Sequence, residues 1–403
     1  MSLAVRDRLG LPAMALPTFV APSLLFAFFA LLFWQLGEPN QGDIHAELAR
    51  SLLAGHLWVP ADAHWELVPI DAVRAWSPFP PIPALTYVPF VLLGINMPVS
   101  LLTALVGAGG AALLFQFLVR LEVSRAAAGW ITVGVIGSAF GWIASTGSLW
   151  FYPEVLGIVL SLLALYLAID GRWPLVAGLL IGLAAGSRLP TGLVLPLILW
   201  FYRDRRQALA WCLVGVAVVA APLAAYNIVR FGNPFEFGYG LIESFAHPGQ
   251  PVTAEPYFRD GVLDIGYIPR SIAAMLLQGY EIRLDFPWIA YPVSGVGIPL
   301  SAPTLLLALR ARWSSTVAMA WLTFIAVMLP NWAHGSWGFW QFSYRFITDA
   351  TAPIAVLLAV AYRARGADWL LRATAVFGLA ALLYAFAAEF WWDARLIPPP
   401  IFP

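Results

Sequence analysis

Long apolar runs alternate with short polar breaks along the whole chain. Runs fall near 17–36, 98–119, 126–146, 153–169, 189–202, 207–229, 289–309, 314–331, 346–362 and 368–389, with a shorter one at 174–187. About 20 apolar residues in helical form cross a bilayer core, so the pattern predicts an all-α, polytopic membrane protein with about 11 transmembrane helices. The run 80–98, "PPIPALTYVPFVLLGINMP", is the exception: it is short and holds five prolines. Proline removes backbone donors, and lipid cannot replace the lost bonds. We expect this segment to be re-entrant or to lie at the interface.

Charge supports that choice. If 80–98 does not cross and the N-terminus is cytoplasmic, 13 arginines fall inside against five acids, Asp7, Glu122, Asp170, Asp204 and Asp368. The other nine arginines and 17 acids fall outside, a split of +8 against −8. This is the expected positive-inside asymmetry. A crossing at 80–98 would move Arg120, Arg125 and the Arg203–Arg206 cluster outside and destroy it. The start, "MSLAVRDRLGLPAMALPTFV", has no small-residue cleavage site after its apolar run and reads as a retained first span. The map has short cytoplasmic turns, long outer loops at 37–97 and 230–288, and a short aromatic one at 332–345. A single membrane domain, 1–403, is expected to carry everything, with no separate soluble domain.

Composition agrees: 61% of the 403 residues are hydrophobic and 11% charged, against about 25% charged in soluble domains. With one cysteine, Cys212, no disulfide framework or cysteine-based metal site forms within the chain. All 22 cations are arginine, so lysine chemistry is excluded. Net charge is zero and no nucleic-acid partner is expected.

The outer loops carry the candidate chemistry. "GDIHAELARSLLAG" reads as a short amphipathic helix that places Asp43, Glu47 and Arg50 on one face at the membrane boundary. Asp43 after a glycine also suits a plain N-cap, and Glu47–Arg50 a solvated pair. Arg74 enters the proline-rich segment. Glu154 in "SLWFYPEVLG" stands at a span mouth, either as a functional acid or as a helix-start acid favoured by the dipole. Arg188 in "GSRLPTG" sits where an arginine needs a carboxylate or phosphate, or snorkels to water. Arg345 in "QFSYRFITDATAP" has Asp349 one helical turn on, so it is a phosphate binder or half of a structural ion bridge. Arginine forks grip phosphate, and a carboxylate beside one can take a hydroxyl proton. Trp332, Trp337, Phe339 and Trp340 are candidates for stacking on sugar or for interface anchoring.

In order, the acidic motif with "LARSLLAGHLWVP", then "PFPPIPALTYVPFVLLG", "GSRLPTG", "YNIVRFGNPFEFGYG" and "QFSYRF" resemble the GT-C membrane glycosyltransferases. They are most similar to glycosyltransferase family 39 and the protein O-mannosyltransferase and aminoarabinose-transferase groups. The resemblance covers most of the chain. It implies a bacterial inner-membrane enzyme with its site on the outer face and a polyprenyl-phosphate sugar as donor. An acceptor hydroxyl of a lipid, glycan or small molecule would attack with inversion. It carries the catalytic base, or acceptor-orienting acid, to Asp43, and donor-phosphate binding to Arg345, Arg188 and Arg74. Glu154 and Glu47 are possible second acids, and a divalent cation (Mg or Mn) is a possible cofactor. The chain departs from the family in having one acid at "GDI" where a pair is common, and in lacking the large soluble C-terminal domain of many members. The latter points to a small acceptor. A lipid or polar-solute transporter is the rival function, and a non-catalytic scaffold a third; convergence of Asp43, Arg188 and Arg345 separates them.

Overall fold

The computed structural model describes residues 31–32, 43–244, 247 and 249–392. The expected span at 17–36 therefore lies almost wholly outside the described residues, as does most of the C-terminal tail. The described chain is mostly helical. It opens with α1 (Ile44–Leu53), then three short strands, β1 (Val59–Pro60), β2 (Val68–Pro69) and β3 (Arg74–Trp76). The strands form an antiparallel sheet with β3 in the middle, pairing Val59 with Ala75 and Val68 with Trp76. Both flanking strands end in proline, which edge positions tolerate. An all-α expectation missed this sheet; strands of two or three residues are too short to show a period-2 pattern.

After the sheet comes α2 (Ile82–Leu92), which packs on α1 and contains Pro89. Its 11 residues reach about 16 Å, roughly half of a hydrocarbon core. Segment 80–98 thus supplies no helix long enough to cross.

The bundle proper follows: α3 (Val99–Arg120), α4 (Arg125–Ile136), α5 (Ala139–Thr146), α6 (Phe151–Ile169), α7 (Pro174–Ala185), α8 (Leu189–Gly192), α9 (Leu195–Tyr202) and α10 (Arg206–Phe231). Beyond the second long loop come α11 (Ile268–Leu277), a hairpin of β4 (Glu281–Ile282) and β5 (Ile289–Ala290), α12 (Ile298–Ser301), α13 (Ser315–Trp332), α14 (Thr351–Tyr362) and α15 (Trp369–Phe386).

Six described helical stretches are long and apolar enough to cross a membrane: Val99–Arg120, Phe151–Ile169, Arg206–Phe231, Ser315–Trp332, Arg345–Tyr362 and Trp369–Trp391. Each matches an expected span. The expected span 126–146 is α4 and α5, bent by 63° at Gly137–Ser138. Runs 174–187 and 189–202 are shorter apolar helices. The run 289–309 is no continuous helix. It holds β5, the four-residue α12 and a 3₁₀ stretch Pro303–Arg310, because Pro292, Pro299 and Pro303 interrupt the ladder. Among the described residues, six of the expected spans are straight helices of crossing length, with a seventh if the bent pair counts as one; the span at 17–36 lies outside them.

Close packing uses glycine where backbones meet. A side chain at Gly178 of α7 would strike the Cys212 carbonyl of α10, and one at Gly215 would strike the Leu175 carbonyl. This reciprocal contact is the small-residue mode of helix association in lipid.

The two ends of the bundle differ in chemistry. At the C-terminal end of α6, Arg120 pairs with Asp170 at 2.6 Å and Tyr202 donates to the Arg172 carbonyl at 2.7 Å. At that end Arg363 meets Glu122, and Arg310 pairs with Asp368 at 2.7 Å. These are residues expected on the cytoplasmic side. Glu154, Arg188 and Arg345 gather at the other end of α6. The 16 residues from Glu154 to Asp170 span about 24 Å of helix.

Candidate active site

Glu154 is the hub. It lies in the first turn of α6, fully buried, and its Oε1 accepts from Thr348 Oγ1 at 2.8 Å. Its Oε2 faces two guanidiniums, Arg188 Nε at 3.9 Å and Arg345 Nε at 3.8 Å. Gly157, one turn on, lets α8 approach: a side chain there would meet Thr191 Oγ1 at 2.7 Å. That contact carries Arg188, the residue capping α8, to the Glu154 face.

The two arginines are not equivalent. Arg188 Nε lies 2.7 and 2.8 Å from the two oxygens of Asp349, and its Nη2 donates to Asn331 Oδ1 at 3.3 Å. Asn331 Nδ2 closes the network on Asp349 Oδ2 at 2.9 Å. Arg345 donates no hydrogen bond from its guanidinium to any described residue, and its Nε is buried without a partner. The cation rests on the rings of Phe151 and Phe346, 5.0 and 5.1 Å from their centroids. Gly338, at φ +96°, passes 2.9 Å from Arg345 Nε when given a Cβ, so only glycine lets the loop lie this close.

Local geometry explains the asymmetry. An α-helix from Arg345 would set Asp349 on the same side, four residues on. Arg345–Ala350 is a 3₁₀ segment instead. At three residues per turn, position i+4 is rotated by about 120°, while i+3 eclipses i. Thr348 therefore lies along the Arg345 side and reaches Glu154, and Asp349 turns to Arg188. The expected Arg345–Asp349 bridge does not form.

A second carboxylate approaches from the first loop. Glu66 lies between β1 and β2, 7% exposed, and its Oε2 accepts from Trp150 Nε1 at 2.6 Å. Burial lifts its carboxyl to about 7, although the Trp150 bond and the field of Arg345 oppose the rise. Tyr239 and Tyr257 also sense its charge. His334 is buried beside the same arginines and is edge-on to Phe346, Tyr239 and Phe258. Burial, helped by the charges of Arg188, Arg345 and Arg270, pushes it down to about 4, so its ring is neutral near pH 7.

The remaining expected residues stand apart. Asp43 caps α1 through Oδ1, which accepts from His45 N at 2.9 Å, and its Oδ2 is buried without a described partner. Its electrostatic neighbours are Tyr87 and Tyr152. Asp43 makes no hydrogen bond or ion pair with Glu154, Arg188 or Arg345. Glu47 is exposed and pairs with Arg50 at 2.5 Å. Arg74 is exposed and pairs with Asp71 at 2.6 Å. Neither joins the site. Of Asp43, Arg188 and Arg345, the two arginines meet at Glu154, and Asp43 forms no ion pair with either.

No metal-holding group of three His, Cys, Asp or Glu side chains occurs among the described residues. Glu154 sits between two guanidiniums, which oppose a cation there. This donor set does not fit Mg or Mn, and no step below uses one.

Sequence reasoning passed over Glu66, Trp150, Asn331 and Thr348. Asn331 alone left a trace, a polar residue closing an apolar span.

No protein-family model matches the sequence, and no curated protein matches it. Among solved structures the chain is similar to ArnT from Cupriavidus metallidurans bound to undecaprenyl phosphate, at 16% identity and a TM-score of 0.49 over 93% of this chain. It is also similar to the Archaeoglobus fulgidus oligosaccharyltransferase in the apo form, at 13% identity and a TM-score of 0.49 over 94% of this chain. The chain spans 65% and 56% of the lengths of those two proteins.

Proposed function

We infer that this chain is a membrane glycosyltransferase. It moves a sugar from a polyprenyl-phosphate donor to an acceptor hydroxyl at the outer face of the membrane, with inversion at the anomeric carbon. One observation carries the reading: the Nε of Arg345 is buried, and no described residue accepts a hydrogen bond from it. Glu154 offsets its charge at 3.8 Å, but a buried donor left without an acceptor is costly, and an anionic ligand relieves that cost. A phosphate suits the planar fork.

The setting favours a lipid phosphate. Arg345 opens a stretch long and apolar enough to cross a membrane, and aromatic rings surround its charge. The polyprenyl chain would lie along the apolar flank of the bundle while the phosphate meets Arg345. Arg188 and Asp349 form the fixed wall behind it, and Glu154 keeps the two cations together. As the bond from the anomeric carbon to phosphate breaks, negative charge grows on the phosphate, where Arg345 stabilises it. The order of motifs resembling GT-C enzymes supports the same reaction. A transporter would place polar groups along the middle of the bundle, whereas the described ion pairs of the bundle lie at its two ends.

Transfer from a panel of radiolabelled polyprenyl-phosphate sugars to lipid, glycan and small-molecule acceptors tests the proposal on purified protein. Label released from at least one donor onto an acceptor is the expected result. Binding of polyprenyl phosphate with no transfer from any donor would overturn it.

A further inference from the structure

Inverting transfer needs a base for the acceptor proton; of the described carboxylates in the first loop, Glu47 and Asp71 pair with arginines and Asp62 is exposed, which leaves Asp43 and Glu66. Asp43 spends one oxygen on a helix cap and buries the other near Tyr87 and Tyr152. Glu66 is placed differently. Its Oε2 is held by the Trp150 indole, and its Oε1 accepts no hydrogen bond from a described residue. Among the described residues no cation stands within salt-bridge distance of it, yet the Trp150 that holds it precedes Phe151, on whose ring the Arg345 cation rests at 5.0 Å. The backbone fixes the side chain's origin: Glu66 N donates to His64 Nδ1 at 3.1 Å, and His64 lies edge-on to Trp150. A carboxylate buried without a counter-ion destabilises a fold. One fixed by a single indole bond, with its other oxygen unclaimed by a described residue, is arranged to accept a proton.

Resting on the glycosyl-transfer reading, we propose that Glu66 is the general base of the reaction and that its Oε1 takes the proton of the acceptor hydroxyl. The acceptor O–H proton passes to Oε1 as the hydroxyl oxygen forms its bond to the anomeric carbon. The bond from that carbon to the phosphate oxygen breaks, and its electron pair leaves with the polyprenyl phosphate on Arg345. The protonated Glu66 then returns its proton to water.

The charged and titratable groups around Glu66 are Arg345, His64, Tyr239 and Tyr257. His64 is itself pushed below its usual value by burial, and the tyrosines ionise far above neutrality. The acid limb of the rate profile therefore belongs to Glu66 and lies near pH 7.

The test uses full-length protein in lipid nanodiscs and the donor found active in the panel above. Glu66→Gln should lower kcat about 10²–10⁴-fold, the usual worth of a general base, while polyprenyl-phosphate binding changes less than about threefold. Glu66→Asp should restore part of the rate. Trp150→Phe removes the bond that favours the charged form, so it should move the acid limb to higher pH. If Glu66→Gln folds poorly, the Trp150→Phe shift decides. Turnover by Glu66→Gln within about threefold of wild type, or an acid limb unmoved in Trp150→Phe, overturns the role of Glu66 and leaves the transferase reading standing. A wild-type protein that binds polyprenyl phosphate but transfers no sugar overturns both.

Discussion

Asp349 binds Arg188, 161 residues earlier, and not Arg345, four residues before it. One buried pair therefore fixes the architecture, and the second arginine is left for a ligand. Breaking the fixed pair strands a charge. Asp349→Asn or Arg188→Met should destabilise the protein by about 3–5 kcal/mol, as removal of one partner of a buried ion pair does. Thermal unfolding in detergent would show this as a lower midpoint, with loss of monodisperse protein on warming. Equal stability for Asp349→Asn would mean that the charge on Asp349 is not what holds Arg188.

Arg345 should behave in the opposite way. Arg345→Gln removes a donor without an acceptor and leaves Arg188 facing Glu154, so it should cost less stability than breaking the Arg188–Asp349 pair. Polyprenyl-phosphate affinity should fall by about 1.5–3 kcal/mol, the worth of a hydrogen bond to a charged group, or roughly 10–150-fold. Titration of polyprenyl phosphate into nanodisc-held protein measures it. Unchanged affinity would mean that the phosphate lies elsewhere.

These contrasts show what the sequence could and could not reveal. The six straight spans were legible because uninterrupted apolar runs of that length have one stable form in lipid. The short helix at 44–53 was legible from its cap and its i, i+4 charges. Arg188 and Arg345 were legible as cations out of place at span mouths. Their partners were not: whether Asp349 serves Arg345 or Arg188 depends on a 3₁₀ turn, which propensity does not distinguish from an α turn. Glu66 was invisible for another reason. An acid in a polar loop looks solvated, and only the fold of β1–β3 over the start of α6 buries it against Trp150.

Asp43 gives a discriminating variant. Asparagine keeps the N-cap, so Asp43→Asn should leave thermal stability within about 0.5 kcal/mol of wild type and turnover within about tenfold. Asp43→Ala loses the cap and should cost about 1 kcal/mol. A collapse of turnover in Asp43→Asn, with folding and lipid binding intact, would return the base to this residue and take it from Glu66.

Stability and pH should separate Glu66 from a structural acid. Its carboxyl is raised in the folded state from an ordinary value of 4.5 to about 7. A group raised on folding binds more protons in the native state, so its favourable contribution holds below 4.5 and is lost as pH rises through 7. Wild-type stability should therefore fall relative to Glu66→Gln between pH 4.5 and 7, by roughly 3 kcal/mol for a shift of this size. His334 gives the opposite slope. Its folded value, about 4, is depressed below 6.5, so its contribution holds above 6.5 and is lost as pH falls to 4. In wild type the two slopes oppose each other where their windows overlap, between pH 4.5 and 6.5. The difference between wild type and Glu66→Gln removes the His334 slope and exposes that of Glu66. Melting midpoints of the two proteins at pH 5 and pH 8.5 make the measurement, with Glu66→Gln the more stable of the two at the higher pH. A variant that is slower in transfer yet harder to melt marks a residue kept for chemistry; a Glu66→Gln protein less stable than wild type at pH 8.5 marks an acid that the fold itself requires.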